Sequence, residues 1–460
     1  MPNAAQTRPA DRGSTPSLNR QILALALPAF GALIAEPLLV LADSAIVGHL
    51  GSAQLAGLTL GSTVLQTLVG FMVFLAYSTT PAVARAVGAG DTGRAFAATR
   101  NSLWVAAGLG VFFALLLALL AHPLLKALGG EGQVLTYGNA YLLPSLAGLP
   151  GMLIVLAATG ALRGFQDTKT PLYVAIAGAA LNVLLSWVLV YPVGWGVAGS
   201  AAATALTQWA MALVLTASVL ARTRGQEQGW APDRAGLGAV FKVGAWLMVR
   251  AACMRVALLA TVFVVTAQGE KNLAAYQLTM AFFNLLAFAL DSLAIAAQAL
   301  LGQEMGTQNL TTPQGRAAVT QLKNRLVRWS VLFGLVTALA CPAVGFGAAW
   351  IFSSDPQVQH LFALSLLVLG AGQPLAAYVF ILDGVLIGAQ DVRYLGLAAF
   401  FTLAAYLPVL VGLYLWWAGG SFPAGATAAY LLLWCAYALW YMGARATTLW
   451  WRARTGVWIR

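Results

Sequence analysis

The chain has 460 residues, of which 60% are hydrophobic and 8% charged, and its formal net charge is +11. Soluble domains carry about 25% charged residues, so this composition excludes an ordinary globular protein and points to one that crosses a membrane many times. Three cysteines and three histidines scattered through distant segments exclude a disulfide framework or a clustered metal site. No HExxH, P-loop or GxSxG pattern supplies the chemistry of a zinc protease, a nucleotide-driven pump or a serine hydrolase.

Residues 1–20 are polar, with Pro, Ser, Thr and three arginines, and read as a disordered cytoplasmic tail without a cleavable signal. Twelve apolar runs follow, at 22–47, 53–83, 102–121, 135–160, 171–191, 197–220, 238–267, 273–301, 329–352, 361–388, 395–416 and 424–443. As helices rising ~1.5 Å per residue, such runs span ~30 Å of hydrocarbon. The longest charged break near the middle, 222–236, separates six runs from six. It divides the chain into a first lobe at 21–221, a cytoplasmic linker, a second lobe at 237–445 and a cytoplasmic C-terminal tail at 446–460. With the N-terminus inside, outer loops hold only Lys126 and Lys271 of the 25 basic residues, and Arg250 and Arg255 fall within the seventh run. That asymmetry is the positive-inside pattern of a multi-pass protein of the cell (inner) membrane with both termini cytoplasmic. The basic charge then orients the chain and meets anionic lipid, and no nucleic-acid partner is implied.

The first run and its exit, Leu25–Gly51, carry two carboxylates, Glu36 and Asp43, and two prolines, Pro28 and Pro37. Seven residues place Glu36 and Asp43 on nearly one helix face, ~10 Å apart along the axis. Pro37 has no N–H for the carbonyl of Leu33, so the helix is expected to bend or loosen there. A carboxylate inside a spanning helix is costly unless it faces a cavity or a partner, which makes both residues candidates for function.

Further polar residues follow in order. Asn182 and Ser186 lie one turn apart on the fifth run, and Ser200, Thr204 and Gln208 recur every four residues on the sixth. Gln277, Asn284, Asp291 and Gln298 recur every seven residues on the eighth, forming a stripe that faces either water or protein. Shifted by 218, the second run has Thr59, Gln66, Val73 and Thr80 at the matching positions. Arg250 lies eight residues beyond Lys242, and Asp383 lies eight residues before Asp391, so both sit ~12 Å above the cytoplasmic edge. Buried charges are paired, which gives Arg250 a partner in Asp383 or Asp291. Trp416, Trp417, Trp434, Trp440, Tyr441, Trp450 and Trp451 read as interfacial anchors.

The two halves also repeat. Gly160-x-Leu162-x-Gly164-x-Gln166-Asp167 recurs as Gly384-x-Leu386-x-Gly388-x-Gln390-Asp391, 224 residues on and at the same end of the fourth run of each half. Six runs per half give both copies the same orientation. The expected fold is an all-α integral membrane protein, with twelve transmembrane helices in two six-helix lobes related by a pseudo-two-fold axis along the membrane normal.

Pro28, Asp43 and Gly48-His49-Leu50-Gly51 resemble the opening helix of the multidrug and toxic compound extrusion (MATE) transporters. The segments around Asp291 and Asp383, FALDSLAIAAQALLGQEMG and YVFILDGVLIGAQD, resemble that family's DinF branch, and the likeness runs from about Leu18 to Arg445. The resemblance implies a secondary antiporter that expels organic, cationic and amphiphilic compounds in exchange for H⁺ or Na⁺, without a cofactor and as a monomer. Coupling and substrate binding then fall to Asp43, Glu36, Gln66, Asn182, Ser186, Ser200 and Thr204, and Asp291, Asp383, Arg250, Asn284 and Gln277 form a network in the second lobe. Na⁺ would use Asp43, Asn182 and Thr204. Many relatives carry a second aspartate where this chain has Ser186, which weakens the case for Na⁺. The alternatives are an exporter of an endogenous metabolite and a flippase for lipid or lipid-linked oligosaccharide. A flippase cavity is expected to be more cationic, and the first-lobe runs contain no lysine or arginine.

Overall fold

The computed structural model describes residues 18–223, 229–419 and 425–459. Most of the N-terminal tail and linker residues 224–228 lie outside them.

Each apolar run is a helix, because backbone polar groups in hydrocarbon must be satisfied within their own segment. The first lobe comprises α1 (Leu18–Gly48), α2 (Ser52–Gly88), α3 (Thr92–Ala127), α4, α5 (Lys169–Val190) and α6 (Val197–Arg222). In α4, Gly132–Leu146 and Leu149–Gly164 meet at 51°. The second lobe comprises α7 (Arg234–Ala267), α8 (Glu270–Thr307), α9 (Pro313–Gly347), α10 (Pro356–Gly388), α11 (Val392–Ala418) and α12 (Gly425–Thr455). The protein is therefore an all-helical multi-pass membrane protein with twelve spans, and the described residues contain no strand. Asp91, Asp233, Thr312 and Asp355 cap α3, α7, α9 and α10, each side chain accepting from a backbone N–H of its helix's first turn.

α1 runs unbroken through both prolines. Pro28 leaves the carbonyl of Ala24 without its helical donor, and the Thr168 hydroxyl donates to that oxygen at 3.4 Å. α12 contains a π-helical segment, Ala436–Tyr441, and continues to Thr455, beyond the expected end of its run at 443. Trp458 and Ile459 are buried, and Arg316 donates to the Ile459 carbonyl at 2.9 Å.

The internal repeat is visible in backbone and packing alike. Among the described residues, Gln166 and Gln390 are the two non-glycine positions with positive φ, both at 59°. After them, the N–H of Asp167 closes on the Leu162 carbonyl and that of Asp391 on the Leu386 carbonyl, both at 2.9 Å. Each aspartate then takes an arginine from the last helix of its lobe, Arg222 on Asp167 and Arg452 on Asp391, both at 2.5 Å. Close backbone approaches repeat too: Gly160 lies on Ala76 and Gly384 on Ala294, while Gly110 lies on Pro150 and Gly334 on Pro374.

Across the lobes, the symmetry makes one contact reciprocal. Gly88 of α2 packs on Gln303 of α8, and Gly306 of α8 packs on Arg85 of α2, with no room for a Cβ at either glycine. Thr307 also donates to the Gly88 carbonyl at 3.1 Å, and Trp329 to Asn19 at 3.0 Å. These contacts close the lobes together at the end of the bundle that carries most of the arginines. Gly306→Leu is expected to wedge that end open, since overpacking costs ~1–3 kcal/mol, enough to shift a two-state equilibrium ~5-fold to ~150-fold. Spin labels at positions 94 and 320 would then move apart in a pulsed dipolar measurement. An unchanged distance distribution would show that this crossing does not hold the lobes.

Candidate functional site

The first lobe encloses a cavity of about 230 Å³ whose lining includes Glu36, Asp43, Gln66, Asn182 and Thr204. The α1 heptad thus brings both carboxylates to one space. Asp43 is 6% exposed, and its two oxygens have separate partners. Ser186 of α5 donates to Oδ1 at 2.9 Å, and Thr204 of α6 lies 3.3 Å from Oδ2. Asn182 Nδ2 in turn donates to the Thr204 hydroxyl at 3.1 Å, whereas its Oδ1 is buried without a partner among the described residues. Two helices, α5 and α6, therefore meet the α1 carboxylate through neutral groups, and no cation pairs with it among the described residues. Glu36 is exposed to the cavity and has no side-chain partner among those residues. Ser200 is fully buried; its carbonyl accepts from Thr204, and its own hydroxyl has no partner among the described residues.

The second cavity, about 360 Å³, lies between α2 of the first lobe and α7, α8, α10 and α12 of the second. Its lining includes Arg250, Arg255 and Arg445 and no carboxylate. Behind it, Asp383 accepts from Arg250 Nη2 at 2.8 Å and from Arg445 Nη2. Of the two partners open to Arg250 in the sequence, the structure selects Asp383. Asp291 instead accepts from the Tyr77 hydroxyl across the lobe boundary at 2.9 Å. The α8 stripe divides accordingly. Asn284 lines the cavity, Asp291 bonds across the lobes, Gln298 is buried against Gly388, and Gln277 is exposed.

The MatE family model matches residues 28–188 and 247–411, one stretch in each lobe. The chain belongs to the MatE family. It is 30% identical to Protein DETOXIFICATION 44, chloroplastic, of Arabidopsis thaliana, over 89% of this chain and 79% of that one. It is 28% identical to DNA damage-inducible protein F of Escherichia coli, over 81% of each. In fold it is similar to the Vibrio cholerae MATE transporter VcmN in the bent form, with a TM-score of 0.83, 20% identity and coverage of 96% and 98% of the two chains. As a MatE-family protein it is a transporter and not an enzyme.

The structure of this MatE protein corrects three readings of its sequence. Arg445 does not flank the last span. α12 extends ten residues beyond it, ~15 Å at 1.5 Å per residue, which sets the guanidinium inside the second lobe. Arg163 is not confined to a flank either: it sits on α4, 8% exposed, and lines the first cavity, so that lobe does contain a cation. The signal was its place in the repeat, where the other copy has Ile387. Of the tryptophan and tyrosine anchors, Trp416, Trp440, Trp450 and Trp451 are exposed as expected, but Trp434 and Tyr441 are buried. Trp434 packs on Tyr276 at 5.4 Å between ring centres, and Tyr441 lines the second cavity.

Proposed function

We propose that this MatE-family protein is a secondary antiporter of the cell (inner) membrane, with both termini cytoplasmic. It exports small organic compounds while a cation moves inward. The observation that carries the proposal is Asp43: a single buried carboxylate, unpaired with any cation among the described residues, held by hydroxyls from two other helices beside a cavity it shares with Glu36.

The coupling ion is H⁺. Neutral hydroxyls from Ser186 and Thr204 orient Asp43 in either protonation state, and Ser186 removes the second carboxylate that a bound Na⁺ would use for charge balance. One-for-one exchange of a proton for a monovalent organic cation moves no net charge, so the pH difference drives it, worth ~1.4 kcal/mol or a ~10-fold substrate gradient per pH unit. The unprotonated carboxylate, with Glu36 nearby, attracts an organic cation, and protonation from outside releases it. Asn182 Oδ1, Asp43 and Thr204 are the oxygens that Na⁺ would take in the competing reading.

The test uses proteoliposomes with a preformed pH gradient. Adding an amphiphilic organic cation should dissipate the gradient in the absence of Na⁺. A response that requires Na⁺ and ignores the proton gradient would replace H⁺ by Na⁺, and no response to either gradient would remove antiport.

A further inference from the structure

The cavity between the lobes takes no part in the coupling proposed above, yet its lining carries three arginines and no carboxylate. Arg250, Arg255 and Arg445 line it. The carboxylates facing these arginines are Asp383, which is shared by two of them, and Asp291, whose bond goes to Tyr77. Three guanidiniums against two carboxylates leave the cluster with an excess of positive charge.

The donors themselves are also incompletely used. Arg445 is 6% exposed, and its Nη1 has no partner among the described residues; the Nε of Arg250 is likewise buried and unpartnered. Arg255 makes no hydrogen bond or ion pair among those residues, and its Nη2 lies 3.6 Å from the position a Cβ would take at Gly70 of the first lobe. Buried guanidinium N–H groups without acceptors are unfavourable, and a carboxylate or phosphate matches their geometry.

The rest of the wall is largely apolar, with an aromatic side on α8 and α12. Tyr437 and Tyr441 stack 5.6 Å apart, and Phe283 meets Tyr437 edge-on at 5.8 Å. Both tyrosines belong to the π-helical segment of α12, and such segments recur at functional sites. The cavity volume is that of a small-molecule site.

We propose that this cavity is a binding site for an amphiphilic organic anion, whose anionic head is held by Arg250, Arg255 and Arg445 and whose apolar body lies on the α12 aromatics. The site is separate from Asp43 and does not depend on the coupling reading. An aromatic sulfonate, an aromatic carboxylate and an anionic lipid headgroup share this chemistry.

The full chain in phosphatidylcholine nanodiscs should bind radiolabelled naphthalene-2-sulfonate saturably, and the neutral naphthalene-2-sulfonamide should compete ~10-fold or more weakly, as one lost charge contact implies. Arg255→Gln should weaken binding by a similar ~10-fold without lowering thermal stability, because Arg255 holds no other group. Asp43→Asn should leave binding unchanged, which keeps this result distinct from failure of the antiport reading. Adding phosphatidylglycerol to the nanodisc identifies the occupant. Displacement of the probe assigns a lipid headgroup, and indifference assigns a soluble anion; either result upholds an anion site. Absence of saturable binding, equal competition by the sulfonamide, or loss of binding in Asp43→Asn with none in Arg255→Gln would overturn the proposal.

Discussion

Asp43→Asn is expected to abolish substrate-driven proton movement and drug resistance together, while the protein still reaches the membrane and folds. The amide keeps the carboxylate's size and can accept from Ser186 as Oδ1 does now at 2.9 Å, so the contacts that position α1 against α5 survive. What disappears is the exchange of a proton. Ser186 offers no carboxylate to take over on α5, which leaves Glu36 as the other carboxylate in the cavity. Glu36→Gln should therefore be mild if Glu36 only sets the field around the substrate, and as severe as Asp43→Asn if the two share the proton. The measurement is substrate-triggered dequenching of a preformed pH gradient in vesicles, wild type beside each variant at matched protein levels. Undiminished exchange in Asp43→Asn would move the coupling site to Asp291 or Asp383.

Asp383→Asn is expected to cost ~3–5 kcal/mol of stability, because it leaves the guanidiniums of Arg250 and Arg445 facing one another without their shared carboxylate. Removing the arginines as well should recover much of that loss. The triple variant Asp383→Leu, Arg250→Met, Arg445→Met retains the volume and discards the charges, so its stability should exceed that of Asp383→Asn alone, a non-additivity that independent sites do not show. Thermal unfolding in detergent reads both. If Asp383→Asn melts at the wild-type temperature, the triad is solvated and does not hold the second lobe.

Much of the architecture was legible from residue order. Hydrophobic runs of spanning length, the internal Gly-x-Leu-x-Gly-x-Gln-Asp repeat and the heptad between Glu36 and Asp43 are one-dimensional signals, because helix geometry maps spacing directly onto face and depth. The membrane tightens that mapping by forbidding other backbone solutions. Asn182, Ser186 and Thr204 were also recognisable as polar residues in apolar helices, which hydrocarbon does not tolerate without a partner.

Partner choice was decided only by tertiary packing. Arg250 had two acidic candidates, and the crossing of α7, α10 and α12 gave it Asp383, while the approach of the lobes gave Asp291 to Tyr77. Arg445 and Arg163 were hidden for another reason: arginines near the ends of apolar runs look like flanking charge, and their depth depends on where each helix stops. α12 stops at Thr455, far past Arg445, and α4 ends beside the first cavity with Arg163 turned onto it. Spacing along one helix determines which residues share a face. The charge that face meets is set by neighbouring helices far away in sequence, from 62 residues for Arg445 and Asp383 to 214 for Tyr77 and Asp291, and that pairing made one cavity acidic and the other basic.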